Sequence, residues 1–126
     1  PGGWSGDAHN AFAEAGRSAQ ENEVFSHVKK LLRLRAELEP LRRGKLIHLT
    51  INEQSYAYAR VTSNRVAIIV INNSNAPADI EAVIPASLHL PDGRVLKNVL
   101  GSGAEVKVER GRIKFTIGPR VAVLLV

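Results

Sequence analysis

Apolar positions recur along this chain at two different periods, and the change falls near residue 44. Before it, Val24, Phe25, Val28, Leu31, Leu32, Leu34 and Leu38 return at helical intervals, the mark of an amphipathic helix. Ser18 and Glu21 have the spacing of a reciprocal cap, and Asn22 offers a second one, so a helix is predicted over about 21–38. His27, Lys29, Lys30, Arg33, Glu37 and Glu39 take its other side. One face is therefore expected to be covered. Pro40 stops the helix, because proline has no amide to donate and disfavours helix in the residue before it. The first 20 residues, with Gly2, Gly3, Gly6 and Gly16 among small and polar neighbours, read as loop.

From Lys45 onward the period shortens to two. Strands are predicted over 45–51, 55–61, 65–72, 79–84, 95–100, 105–109, 112–117 and 120–126, separated by turn-rich segments such as Asn52-Glu53-Gln54, Pro91-Asp92-Gly93 and Gly101-Ser102-Gly103. The glycines of the last turn suit a hairpin, since glycine tolerates positive φ. Connections this short cannot make the crossovers that parallel pairing requires. The predicted fold is mainly β: an antiparallel Greek-key sandwich of about eight strands, preceded by a loop and one amphipathic helix. Ala67 to Ile71 is apolar on both faces and is expected in a central strand, whereas 105–109 and 112–116 alternate cleanly and are expected to keep one wet face. A lone helix ahead of a sheet must find a partner surface, either the sandwich or something upstream.

Charge changes this picture little. The formal charge is +5 and the pI near 10.0, but Lys and Arg number 7 against 6 acids up to Gly44, and 10 against 6 after it. The alternating Lys107, Arg110, Arg112 and Lys114 read as a solvated sheet face. With 5% aromatics and none among these cations, stacking platforms for single strands are missing, and no nucleic-acid partner is expected. The 44% hydrophobic and 23% charged content is that of an ordinary globular chain. No apolar run approaches the ~20 residues of a membrane helix, so no membrane partner is expected either. Zero cysteines exclude disulfides, thiolate metal sites and cysteine nucleophiles.

Catalytic constellations are thin. His9, His27, His48 and His89 are scattered without an i, i+4 pair or a carboxylate at ligand spacing, so they read as solvated or capping residues, with no metal and no cofactor expected. Asp7, Asp79 and Asp92 read as loop residues, where a carboxylate commonly accepts a backbone amide. Ser and Thr lack a nucleophile-elbow or Ser-x-x-Lys frame, and PGGWSG lacks the Gly-Lys-Ser/Thr ending of a phosphate loop. Trp4, beside flexible glycines, fits either a core position or a stacking platform for a sugar ring. Tyr56 and Tyr58, on one face of one strand, suit a stacking pair or a core edge.

Two stretches are more specific. PGGWSGDAHNAF, and ENEVFSHVKKLLRLRAELEPLRRGKL some ten residues later, resemble the end of the catalytic barrel in the α-amylase family of glycoside hydrolases, in its cyclomaltodextrinase and neopullulanase-like branch. Leu34, Arg35, Pro40, Leu41, Arg42, Arg43 and Gly44 match the exit of the last barrel helix. The resemblance implies that 1–44 is the loop after the eighth barrel strand plus that helix, that 45–126 is the C-terminal β-sandwich, and that the sequence is the tail of a larger enzyme. The family's three catalytic carboxylates belong to upstream barrel strands, so no residue here is expected to be catalytic and the piece is not expected to be an enzyme alone. Its partners would be the missing barrel and, in the parent, an α-glucan oligosaccharide. Trp4 and Asp7 would line the parent's substrate cleft at the barrel mouth. Without the barrel, the helix's apolar stripe is expected to pack on the sandwich, to make a homo-oligomer or to be poorly ordered. Recognition of α-glucans by the sandwich itself is the alternative.

Overall fold

The computed structural model describes residues 6–7, 9–101 and 105–126. Two compact units divide between Glu37 and Leu38. The first holds a short 3-10 turn, Glu14–Gly16, and helix α1, Ala19–Glu37. The predicted reciprocal cap forms: Glu21 N donates to Ser18 Oγ at 3.2 Å and Ser18 N to Glu21 Oε2 at 2.7 Å. These bonds satisfy two amides at the helix start, and the Glu21 carboxyl is held below its ordinary value by the Ser18 amide and then the Ser18 hydroxyl. No residue of α1 is buried; Val24, Phe25, Val28, Leu31 and Leu32 are all exposed. The predicted apolar stripe therefore exists, exposed at these five positions.

The second unit begins with helix α2, Glu39–Arg43, where a simple stop was expected at Pro40. The break comes earlier, at Leu38 in an extended conformation, and Pro40 sits in the first turn of the new helix, where no amide bond is lost. Eight strands follow: β1 Lys45–Ile51, β2 Ser55–Val61, β3 Val66–Asn72, β4 Ala78–Val83, β5 Val95–Leu96, β6 Val106–Lys107, β7 Arg112–Ile117 and β8 Val121–Leu125. One layer has the order β1-β2-β3-β8, all antiparallel. Pairs β4-β7 and β5-β6 build the other. The result is a two-layer antiparallel sandwich, with the apolar 67–71 stretch in a central strand as expected.

Two predicted strands are shorter than their pattern. The 95–100 run ends as a ladder at Leu96, because from Lys97 the chain changes layers: Lys97 N donates to Val126 O at 2.9 Å and Val99 N to Leu124 O at 2.9 Å, along β8. The 105–109 run keeps a two-residue ladder, yet Val106 and Val108 are buried and Lys107 and Glu109 exposed, as alternation requires. Ala57, Ala59, Ile68, Val70, Val123 and Leu125 from the first layer meet Ile80, Ala82, Ile113, Ile117, Leu96, Val106 and Val108 from the second. Apolar burial of this kind is worth roughly 25 cal/mol per Å2 and is what holds the layers together. At one end of the core Asn72, 1% exposed, donates to Ala76 O at 2.8 Å and Gly118 O at 2.9 Å and accepts from Ser74 N at 2.9 Å. It ties the β3-β4 turn to the β7-β8 turn with every side-chain atom used.

Candidate functional site

Three places follow from the sequence: the Trp4–Asp7 loop, the Tyr56/Tyr58 pair and the cationic run on β6 and β7. Trp4 lies outside the described residues. Asp7 is described, and its Oδ1 accepts His9 N at 2.9 Å, a turn of the kind its sequence context suggests. Asn10 repeats the device with Phe12 N at 3.0 Å. The loop is fastened to the start of α1 by Arg17, which donates to Asn22 Oδ1 at 2.7 Å and Ala11 O at 3.1 Å and sets its guanidinium 3.9 Å from the centre of the Phe25 ring. Gly16 is required there, because a Cβ would collide with the backbone of Asn10. Phe12 is 84% exposed on this loop.

Tyr56 and Tyr58 lie on the outer face of the four-stranded layer, not at the edge of its core. Alternation fixes this: Ala57 and Ala59 on the same strand are fully buried and point inward. The two phenol rings stack, with centroids 5.0 Å apart and planes at 25°. His48 on β1 joins them, its ring 5.7 Å from that of Tyr56, and His48 Nδ1 and Tyr56 Oη share a hydrogen bond at 2.5 Å. A register shift between His48 and Thr50 marks a bulge beside this contact. Only the i, i+2 tyrosine spacing was readable in advance; nothing in the sequence announces the bulge that brings in His48. The cross-strand register extends the patch: Tyr58 faces Ile69 and Ile69 faces Leu124, while Tyr56 faces Ile71. Toward one end, α2 packs over β2 and β3: Arg60 Nε donates to Pro40 O at 3.3 Å, and Ala67 and Leu124 are buried although they are on the outer side.

The cations on the other layer are interleaved with acids. Arg112 NH1 donates to Glu81 Oε1 at 2.7 Å, and Lys114 lies 3.7 Å from Glu81 Oε2. The Arg112 hydrogen bond, with the charge of Lys114 next, holds the Glu81 carboxyl below its ordinary value. Lys107 reaches Glu109 at 3.4 Å, and Asp79, expected in a loop, lies in β4 opposite Thr116, whose Oγ1 donates to it at 2.7 Å. This is a wet, internally compensated face. Among the described residues no group of three or more His, Cys, Asp or Glu stands ready for a metal ion, and no helix is long and apolar enough to cross a membrane.

No protein-family model matches the chain. It is 35% identical over 83 residues to a cyclomaltodextrinase of Geobacillus thermopakistaniensis, which covers 64% of this chain and 13% of that enzyme. It is 28% identical over 108 residues to neopullulanase 2 of Thermoactinomyces vulgaris, covering 84% and 18% respectively. The solved structure of an Anoxybacillus α-amylase superposes with a TM-score of 0.71 at 25% identity, over 82% of this chain and 22% of that one. The chain thus spans under a fifth of the length of these curated relatives. Relatives of these names, together with this structural neighbour, agree with the resemblance read from the sequence and are consistent with a C-terminal part of an α-amylase family glycoside hydrolase.

Proposed function

We propose that this chain is the non-catalytic C-terminal module of an α-glucan-acting glycoside hydrolase, in which α1 is the last barrel helix and the sandwich caps and stabilises the barrel. The observation that carries this reading is the distribution of apolar surface. The α1 stripe is exposed, and the outer side of the four-stranded layer is aromatic and aliphatic, while the opposite outer side is charged. Surfaces of the first kind are covered in a working protein. Four of the twelve carboxylates have roles that agree with this reading. A retaining glycosidase needs a nucleophile and an acid/base about 5 Å apart, the acid with a raised pKa. Here Glu21 and Glu81 are both shifted downward, and Asp7 and Asp92 accept backbone amides. In the intact enzyme Trp4 and Asp7 would line the cleft, Asp7 shaping the loop through its turn.

The purified chain, incubated with β-cyclodextrin, pullulan and starch, is expected to release no reducing sugar above a mock preparation; release would overturn the non-catalytic assignment. A second reading, recognition of α-glucans by the sandwich itself, draws on the stacked Tyr56-Tyr58 pair. It is the weaker one, because each ring already covers a face of the other. Titration with maltoheptaose, followed by the amide resonances of residues 56–58 in labelled protein, decides it: saturable shifts lost in Tyr56→Ala/Tyr58→Ala would establish sugar binding on this face.

A further inference from the structure

An open cleft of about 630 Å3 lies wholly within the Leu38–Val126 unit, between the start of α2, the β2-β3 turn and the loop running from Leu88 to Arg94. Its volume falls in the ~300–1,000 Å3 range of small-ligand sites. Its accessible apolar lining is Leu38, Val61, Val66 and Leu90, each half-buried, with Pro40, Leu88 and Leu96 almost completely buried beneath. Arg65, Arg94 and His89 line it together with the last residue, Val126, and among the described residues no carboxylate side chain does.

Arg65 and Arg94 share with Arg42, Arg43 and Arg110 the lack of an ion pair among the described residues, but of these only Arg65 and Arg94 line the cleft. Arg60, Arg112 and Arg120 of the same unit all spend their guanidinium groups on protein acceptors, at 3.3, 2.7 and 2.8 Å. The ion pairs among the described residues use Arg33, Lys97, Lys107, Arg112 and Lys114, and neither Arg65 nor Arg94. Two guanidiniums without a carboxylate partner, beside an apolar floor, complement a planar anion carried on an apolar body. Among the described residues no Phe, Tyr or Trp lines the cleft, which argues against a sugar ring as occupant, since sugar faces stack on such rings.

We propose that this cleft binds a small amphiphilic anion, an aliphatic body with a phosphate or carboxylate head, the body on Val61, Val66 and Leu90 and the head between Arg65 and Arg94. The probe is octyl phosphate below its micellar concentration, titrated into the 15N-labelled chain. The expected result is saturable movement of amides in 63–66 and 88–94, with affinity roughly tenfold or more weaker in R65Q/R94Q, the scale of a lost charge-assisted pair. Both arginines are exposed, so the variant is expected to keep the wild-type amide dispersion. Octyl glucoside and inorganic phosphate are expected to bind at least as weakly as octyl phosphate binds the variant.

Equal binding of octyl glucoside would reduce the cleft to an apolar groove and overturn the proposal, as would unchanged affinity in R65Q/R94Q or no saturable movement at these amides. Movement of the same amides with protein concentration alone would assign the cleft to a second copy and overturn it equally. None of these readouts depends on whether the chain is catalytic or meets a barrel.

Discussion

The two outer sides of this sandwich are built from the same alternation and end up with opposite chemistry. On β4 and β7 the outward positions are Asp79, Glu81, Arg112, Lys114 and Thr116, joined to one another across the strands. On β1, β2 and β3 the outward positions include His48, Tyr56, Tyr58, Ile69 and Ile71, with rings stacked on rings. One side is finished by its own salt bridges and water. The other is finished only at the end that α2 covers. The difference shows that a period-two pattern reports which residues share a side of a sheet, while the chemistry of the outward set reports what that side meets.

The contrast can be broken most severely where the aromatic side is already covered. Leu124 is 4% exposed on that side, so Leu124→Asp buries an unpaired carboxylate and is expected to cost more than about 3 kcal/mol, read as a large fall in the urea midpoint. Gly44→Ala comes next. A Cβ there would lie 2.6 Å from Pro40 O and 2.8 Å from Val61 N, both backbone atoms. Forcing α2 away from β2 is expected to cost about 1–3 kcal/mol. A loss below 0.5 kcal/mol in thermal unfolding would show that α2 is not held by this close approach.

Tyr56→Ala/Tyr58→Ala removes the open part of the patch. It is expected to lower stability by only about 1 kcal/mol, the scale of an aromatic pair, while binding of an apolar dye falls clearly. Arg112→Gln on the charged side is expected to leave the urea midpoint at pH 7 unchanged, because an exposed ion pair contributes little. Its effect appears in acid. The folded-state Glu81 carboxyl titrates below its ordinary value, so its small contribution is present above the unfolded pKa and fades as pH falls through the folded one. Arg112→Gln should flatten that part of the stability-pH curve, and an unaltered slope would remove Arg112 as the cause.

Much of this fold was legible in the sequence. Strands β1, β2 and β7 have the predicted bounds because clean alternation there is closed by turn residues at both ends. The Ser18/Glu21 cap was legible because its geometry is local. What was not legible depended on partners distant in sequence. The 95–100 pattern cannot show that the chain changes layers at Lys97, since a buried residue reads the same against either sheet. Pro40 marked a break but not its outcome, because proline both ends one helix and opens another. The tyrosine pair was visible, but its side was not: the core here takes the alanines between them, and the larger rings face outward. His48 joined them through a bulge that no periodicity encodes.

The proposed function carries one central claim: in a larger α-glucan-acting enzyme the aromatic side and the α1 stripe are covered, while the β4-β7 side stays in water. Hydroxyl-radical footprinting of the isolated chain against the full-length parent tests it residue by residue. The account predicts that Tyr56, Tyr58 and Ile71, together with Phe25 and Leu32 of α1, are oxidised in the isolated chain and protected in the parent, with Val83 on the charged side oxidised equally in both. Equal oxidation of Tyr56, Tyr58 and Phe25 in the two samples would contradict it.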